Sequence, residues 1–201
     1  MNIICFPKGP LTSNMYLTYI DDELFVIDPS VDPDSLDMAI PHVTAILITH
    51  GHYDHIKYVE KWHNLYPETP IYMSSGDSSL MSDPEANCSF MDGIVKIFDF
   101  PHNDPSEILF SGAFTIKTIQ TPGHTMGSVC YLFTEGCSDY LFTGDTVFQG
   151  SVGRTDMPGG SFDLMKQSVE LISAFPPETI IYPGHGPDST VGYELKFNPF
   201  F

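Results

Sequence analysis

Short apolar runs separated by turn residues mark the first half of the chain. Most of these runs are rich in β-branched and aromatic residues, and the run at 43–48 is almost continuously apolar, as expected for a strand buried on both faces. Asp21-Asp22 separates two of the runs and predicts a tight turn. The pattern predicts strands over residues 3–6, 14–20, 23–27, 43–48 and 71–73.

Apolar residues at helical spacing alternate with these runs. Asp32 and Pro33 are suited to an N-cap and a first helical position, and they predict a short helix that ends before Pro41. A second helix follows the polar loop at 49–55, and a third begins after Ser161 and stops at Pro176. The apolar positions of these two helices are Ile56, Val59, Trp62 and Tyr66, and then Phe162, Met165, Val169 and Ile172.

The second half repeats the alternation of strands and turns. Its apolar runs predict strands over residues 113–120, 129–134, 140–143 and 179–182. Residues 82–105 are rich in Asp, Pro, Asn and Gly and predict an irregular loop. Strands clustered in both halves with amphipathic helices between them indicate two sheets packed face to face, with helices outside, in one domain over residues 1–201.

Composition narrows the function classes. The formal net charge of −18 comes from 26 acidic and 8 basic residues without a Lys/Arg cluster, so nucleic acid is not expected as a partner. No apolar stretch approaches a membrane span, and the first residues do not form a secretion signal, which together predict a cytoplasmic protein without a membrane partner. The four scattered cysteines are expected to be free thiols. The sequence leaves the oligomeric state open.

The string Thr49-His50-Gly51-His52-Tyr53-Asp54-His55 directly follows the apolar run at 43–48. It holds three of the eight histidines and one carboxylate, and a buried strand ending in a short loop can aim such side chains at one point. The alternative is a polar surface loop, or histidines satisfied by hydrogen bonds in the core. Three similar turns elsewhere favour a metal site: Pro122-Gly123-His124, Gly144-Asp145 and Pro183-Gly184-His185.

This set, H-x-H-x-D-H followed by His, Asp and His, resembles the metallo-β-lactamase superfamily in order and approximate spacing. The resemblance implies the α+β fold of that superfamily, a four-layer αβ/βα sandwich of two mixed sheets with the metals at one edge. It also implies two ions per chain, zinc first, with iron and manganese as alternatives. The implied ligands are His50, His52 and His124 for the first ion, Asp54, His55 and His185 for the second, and Asp145 as a bridge.

Seven ligands are too many for one tetrahedral zinc and suit two ions that share a solvent molecule. Two ions roughly 3.5–4 Å apart lower the pKa of the water between them and polarise a substrate carbonyl. The expected chemistry is hydrolysis by a metal-bound hydroxide, with Asp54 as the catalytic residue that orients it.

Outer motifs resemble the short glyoxalase II-like branch, the hydroxyacylglutathione-hydrolase type. They are Gly153-Arg154-Thr155-Asp156, Tyr193-Glu194 and Asn198-Pro199-Phe200. This implies a small thioester substrate such as S-lactoylglutathione, and a thiolate with a pKa near 8.5 leaves without a strong general acid. The sequence ends at Phe201, about where longer glyoxalase II enzymes begin a helical part that holds glutathione, so weak glutathione recognition is expected. Arg154, the only arginine, is a candidate substrate contact or a loop anchor paired with Asp156 or Asp145.

Other functions remain open at this point. A persulfide dioxygenase of the same fold holds a single iron with two His and one Asp, so metal content would separate it from a dinuclear hydrolase. A lactonase or β-lactamase would use the same ligands on a cyclic ester or amide. A flavodiiron-type protein is disfavoured because that group has a carboxylate where His52 stands, and a binding protein without chemistry is disfavoured because every expected ligand is present.

Overall fold

The computed structural model describes all of residues 1–201, which form two compact units, Met1–Asp104 and Pro105–Phe201. The assignment of the whole chain to one domain stays a prediction. None of the helices has the length and apolar character needed to cross a lipid bilayer. The cytoplasmic location stays a prediction as well.

The first unit is built on a mixed five-stranded sheet. Its strands, in both chain and spatial order, are β1 (Asn2–Phe6), β2 (Met15–Ile20), β3 (Glu23–Ile27), β4 (Ala45–Leu47) and β5 (Ile71–Tyr72). The first three are antiparallel, whereas β4 and β5 run parallel to β3. All three parallel strands therefore end at the same edge of the sheet, and the polar segments that follow β3 and β4 start there.

Three short helices complete this unit: α1 (Tyr53–Ile56), α2 (Val59–Leu65) and α3 (Ser78–Met81). The single helix predicted after the polar loop is thus two helices, separated at Tyr58, whose φ of −110° and ψ of 13° are not helical. Ile56, Val59 and Trp62 are fully buried in the core of the unit. Burying each such side chain stabilises the fold by about 1.5–3 kcal/mol.

The helix predicted after Asp32 is wrong. The Asp32 side chain does accept a hydrogen bond from the backbone N–H of Asp34, but only a 3-10 turn, Pro33–Ser35, follows. Leu36 is already extended, and residues 37–39 are exposed. The capping signal was present, but capping alone does not sustain a short helix in water, and Leu36 and Ile40 pack against the core without one.

The second unit is built on a mixed six-stranded sheet. Its spatial order is β13-β12-β9-β8-β7-β6, in which β12 runs parallel to β9 and the other pairs are antiparallel. A separate two-stranded hairpin is formed by β10 and β11. The strands are β6 (Ile108–Ser111), β7 (Phe114–Gln120), β8 (Val129–Glu135), β9 (Ser138–Gly144), β10 (Val147–Phe148), β11 (Ser151–Val152), β12 (Ile180–Pro183) and β13 (Ser189–Thr190).

Two helices belong to this unit, α4 (Phe162–Ser173) and α5 (Val191–Phe197). The Ser161 side chain caps α4 by accepting a hydrogen bond from the N–H of Leu164, as the sequence predicts. Met165, Val169 and Ile172 form its buried face and pack in the core of the unit. Strands β6, β10, β11 and β13 and helix α5 were not predicted.

Candidate metal centre

The polar string after β4 is held inside the first unit. Strand β4 is buried between its two parallel neighbours, and the chain turns after it so that α1 begins at Tyr53. Two predicted ligands, His50 and His52, lie in the turn, and two more, Asp54 and His55, lie in α1. All four side chains are buried, which is unusual for charged and polar groups unless they are paired or bind an ion.

Asp28, at the end of β3, orients two of the predicted ligands. Its Oδ2 lies 2.8 Å from His55 Nδ1 and accepts a 2.7 Å hydrogen bond from the hydroxyl of Thr49. Because that hydroxyl proton is used, the Thr49 oxygen accepts from His50 Nδ1 at 3.1 Å. Both imidazoles therefore carry their proton on Nδ1, which makes Nε2 the ligand atom, the arrangement of carboxylate–histidine–metal triads.

Backbone contacts fix the same loop. The N–H of Gly51 donates to Oδ2 of the buried Asp77 at 2.9 Å, and the Ser13 hydroxyl donates to the carbonyl of Asp54 at 2.7 Å. Asp28 itself has a φ of 52°, a left-handed conformation that Asp tolerates better than most residues. These contacts connect the ligand loop to Ser13 and to Asp77, two neighbouring segments of the unit.

In the second unit, a glycine brings His124 close to α4. A Cβ on Gly123 would lie 2.5 Å from the Met165 Cα, and the glycine has a φ of 145°, so no other residue fits without movement. The Ser161 N–H donates to the carbonyl of Gly123, and the Ser168 hydroxyl donates to that of Pro122. The turn that carries His124 is thus bound to the first part of α4.

Asp145 and His185 follow neighbouring parallel strands. Asp145 comes directly after β9 and His185 shortly after β12, and the N–H of Gly184 donates to the carbonyl of Gly144 at 2.8 Å. Asp145 Oδ2 lies 3.4 Å from His124 Nε2 and 3.6 Å from His185 Nε2. One carboxylate oxygen therefore stands near the Nε2 atoms of both imidazoles.

His124 is oriented by the backbone after β11. Its Nδ1 lies 2.7 Å from the carbonyl oxygen of Arg154, so Nδ1 carries the proton and Nε2 is the ligand atom. Gly153 makes this approach possible, because a Cβ there would lie 1.8 Å from the carbonyl oxygen of Asp145 and 3.2 Å from His124 Nδ1.

All seven predicted metal ligands fall into three overlapping groups, and within each group the ligand atoms lie within 4.8 Å of one another. The groups are His50, His52 and His124; His50, His55 and Asp145; and Asp54, His55 and His185. Imidazole nitrogens and carboxylate oxygens at this density suit divalent zinc or iron. The donor set therefore fits a metal-binding role.

Arg154 pairs with Asp156, one of the two anchor partners expected from the sequence. Its guanidinium donates to both carboxylate oxygens of Asp156, at 2.7 and 2.8 Å, and both side chains are exposed. This hydrogen-bonded pair lowers the pKa of Asp156 to about 2. The loop-anchor contact is present, and a substrate contact of Arg154 stays a prediction.

Histidines and cysteines outside the motifs do not join these groups. His102 Nε2 lies 3.3 Å from the Ser78 hydroxyl, and neither His102 nor His63 belongs to a group of close ligand atoms. The four cysteines do not form disulfides, as predicted. Burial raises the pKa of the Cys130 thiol to about 11, so this thiol is unsuited to act as a nucleophile or a ligand.

The sequence analysis did not identify the residues that orient the ligands. Asp28, Thr49 and Asp77 contact the ligand loop of the first unit, and the Arg154 carbonyl contacts His124. One signal was present in the sequence: Asp28-Pro29 ends a strand much as Gly144-Asp145 does. Asp28 reaches His55 because β3 and β4 are parallel neighbours, a long-range pairing that local patterns do not reveal.

Comparison with known proteins agrees with the fold. The chain is 32% identical over 206 residues to the probable metallo-hydrolase YqgX of Bacillus subtilis, covering 96% of this chain and 94% of that protein. Its structure is similar to the B3 metallo-beta-lactamase BLEG-1 (34% identity, TM-score 0.86, 99% of each chain). It is also similar to TTHA1623 crystallised in a di-iron-bound form (29% identity, TM-score 0.83, 100% of each chain).

The predicted fold class, α+β with two mixed sheets and helices in the metallo-β-lactamase fold, is confirmed by these similarities and by the two mixed sheets described above. The family profile of the Metallo-beta-lactamase superfamily matches residues 9–185, which include every predicted ligand. The chain therefore belongs to the metallo-β-lactamase superfamily and is a metallo-hydrolase with a His/Asp metal-binding cluster.

Proposed function

We propose that this metallo-hydrolase is dinuclear and cleaves a small thioester, as the short glyoxalase II-like branch does. The observation that carries the proposal is the grouping of the seven side chains. Two groups without a common member, His50-His52-His124 and Asp54-His55-His185, each offer three close ligand atoms, which is one set for each of two ions.

Asp145 is assigned as the residue that both ions share. Its carboxylate has two oxygens and a negative charge, and one of these oxygens lies near Nε2 of both His124 and His185. It also belongs to a group with His50 and His55. A carboxylate suits this role because it offsets the charge of two neighbouring dications.

Two divalent ions held by these residues would supply an activated water and a Lewis acid for the substrate carbonyl. Zinc is the first choice, and the di-iron-bound relative supports iron as a second. Asp54 holds one position in the ligand set and is assigned to orient the attacking water. His55 and His50 keep Nε2 directed to the ions through Asp28 and Thr49.

A thioester suits this assignment of roles. All seven side chains serve as ligands, so none remains to protonate a leaving group. A thiolate leaves without that help because its conjugate acid has a pKa near 8.5, whereas an alkoxide or amine anion is far more basic. S-lactoylglutathione is the first substrate to test.

A second candidate is hydrolysis of a lactam or lactone. The 34% identity to BLEG-1, over 99% of both chains, favours this alternative. A persulfide dioxygenase would use a single iron, and the metal content of the protein separates that reading from both hydrolases.

The test combines metal analysis with substrate competition. The protein is stripped with a chelator, reloaded with zinc, iron or manganese, and analysed for ions per chain. Turnover is then measured on S-lactoylglutathione, simpler thioesters, a β-lactam and glutathione persulfide. Two ions per chain with thioester turnover at least about tenfold above lactam turnover, about 1.4 kcal/mol in favour of thioesters, support the proposal. Full activity with one ion, or a preference for the lactam, contradicts it.

Arg154→Ala examines substrate contact separately. A rise in KM limited to anionic thioesters would assign Arg154 to substrate binding. An equal KM with a lower melting temperature would leave it as the anchor of Asp156.

A further inference from the structure

Helix α5 carries a carboxylate with unusual surroundings. Glu194 is fully buried, and its three partners are neutral hydrogen-bond donors rather than a cation. Its Oε2 accepts from the N–H of Gly150 and from Asn198 Nδ2, both at 2.8 Å, and its Oε1 accepts from the Ser189 hydroxyl. Desolvating a buried carboxylate that has no cation beside it costs free energy. Apolar side chains could hold the helix against the hairpin at a lower desolvation cost.

Asn198, one turn further along, completes the same contact. Its Nδ2 donates to Glu194 and, at 2.9 Å, to the carbonyl of Ser151, and it lies 3.4 Å from the carbonyl of Phe148. Together the two side chains engage backbone groups of β10, β11 and the turn between them. Because these hydrogen bonds are directional and reach backbone atoms, they fix the position of the hairpin relative to α5.

The hairpin and the two residues that follow it lie against all three predicted ligands of the second unit. The Phe148 ring packs edge-to-face on His185, with ring centroids 5.9 Å apart. The chain leaving β11 brings Gly153 against the Asp145 carbonyl and the Arg154 carbonyl to His124 Nδ1. A displacement of the hairpin would therefore alter the orientation of His124 and His185 together.

We propose that Glu194 and Asn198 are positioning residues that set the ligand geometry of the metal centre through the β10–β11 hairpin. The inference rests on the proposed metal centre and adds residues that do not contact it. The buried carboxylate specifies one hairpin position, and that position directs Nε2 of His124 to the ion.

The test uses Glu194→Gln, which preserves shape but offers one acceptor oxygen to three donors. Zinc affinity is measured by competition with a chromophoric chelator, and the cobalt-substituted protein is followed by its visible absorption. Zinc affinity is expected to fall about tenfold or more, the range seen when a group behind a metal ligand is removed, with a changed cobalt spectrum. Asn198→Ala is the second variant, and the same result is expected from it.

Val191→Ala is the matched control, because Val191 is a fully buried residue of the same helix whose apolar side chain does not hydrogen-bond the hairpin. It should lower the melting temperature while leaving zinc affinity within about twofold of the wild type. An equal loss of zinc affinity in Val191→Ala, or wild-type affinity in both polar variants, would overturn the inference.

A measurement without metal separates this inference from the proposed function. In the stripped protein, the Nδ1 proton of His124 is followed by NMR, and its exchange with water is expected to be at least about tenfold faster in Glu194→Gln than in the wild type because the bond to the Arg154 carbonyl is weakened. If the wild type bound no ion, the proposed function would fail. The exchange rate of the His124 Nδ1 proton would still show whether Glu194 positions His124. Unchanged exchange in both polar variants would refute the inference.

Discussion

At the scale of single residues, the candidate centre depends on side chains that act on a metal ligand rather than on a metal. Asp28 illustrates this, since its carboxylate accepts from Thr49 and faces His55 Nδ1. A buried acceptor removed from such a place leaves donors unsatisfied, which costs about 1–3 kcal/mol, and lets the imidazole rotate. The cost therefore falls on both folding and metal binding.

Asp28→Asn should lower metal affinity by about 10–100-fold, because the amide replaces an acceptor with a donor opposite His55. Asparagine tolerates the left-handed backbone that position 28 requires, so the change tests the side chain alone. Chelator competition is the measurement. Asp32→Asn, at a half-buried cap paired with Lys61, is the control and should bind metal as the wild type does.

His52→Ala should reduce the metal content and lower turnover by at least about a hundredfold, about 2.7 kcal/mol in the barrier. The reason is that His52 supplies one of the three close ligand atoms in its group, with His50 and His124. His63→Ala removes a histidine outside these groups and should change neither quantity. Metal analysis and steady-state rates on the same preparations provide the comparison, and a fully active His52→Ala protein would remove His52 from the ligand set.

At the scale of elements, close backbone approaches fix where the ligand turns lie. Gly123, the residue before His124, packs directly against the backbone of α4. The Ser161 N–H also donates to its carbonyl, so the ligand turn is attached to the start of the helix. A side chain at this position has to move the turn away from α4, because its Cβ would lie 2.5 Å from the backbone N and Cα of Met165.

Gly123→Ala should therefore destabilise the protein by about 2 kcal/mol or more and weaken metal binding at the same time. Gly112→Ala is the matched control, since a Cβ there meets nothing within 4 Å and the backbone has no positive φ. Denaturant melts of both variants, with and without zinc, give the comparison. Equal stability of the two variants would contradict the argument.

The sequence predicted elements well where an apolar pattern was long enough to be read. Strands β2, β3, β7, β8 and β9 and helix α4 were found because each buries a continuous or periodic face. The β10–β11 hairpin was missed because each strand has only two residues, too few for a period. The helix expected after Asp32 did not form although its capping signal is present, because capping alone does not sustain a short helix in water.

The same distinction applies to the candidate site. Five of the seven predicted ligands lie in short turns shortly after a strand, and the other two, Asp54 and His55, lie in helix α1 directly after the first of these turns. Their motifs could be read from the sequence for that reason. The residues that orient them, Asp28 and Glu194 among them, act across strand pairings and a helix–hairpin contact. Such contacts depend on the tertiary fold, and no local pattern carries them.

At the scale of the whole molecule, the charge of −18 limits the partners. A polyanion approaching this protein meets a repulsive field that salt screens only beyond about 8 Å at physiological ionic strength. Precursor tRNA and single-stranded DNA should therefore remain uncleaved in a gel assay at physiological salt, under conditions where a thioester is hydrolysed. Cleavage that disappears in His52→Ala would contradict this prediction.

We expect metal binding to stabilise this protein, because the predicted site contains acidic side chains. The side chains of Asp28 and Asp54 are buried and that of Asp145 is largely buried, and ions bound at the predicted site would offset the mutual repulsion of these carboxylates. A ligand that binds only the folded state adds about 2.7 kcal/mol of stability at one hundred times its dissociation constant. For a chain of this size, each kcal/mol corresponds to about 2–4 °C in Tm.

Removal of the metal with a chelator should thus lower Tm by about 5–10 °C, and zinc added back should restore it. The measurement is a thermal melt at matched ionic strength, paired with metal analysis of each sample. His52→Ala is the internal control, because a protein that has lost part of its ligand set should show a smaller shift between stripped and reloaded forms. A stripped wild type that melts at the same temperature as the loaded one would show that the ligand loops are held by the protein alone, through contacts such as those of Asp28 and Gly123.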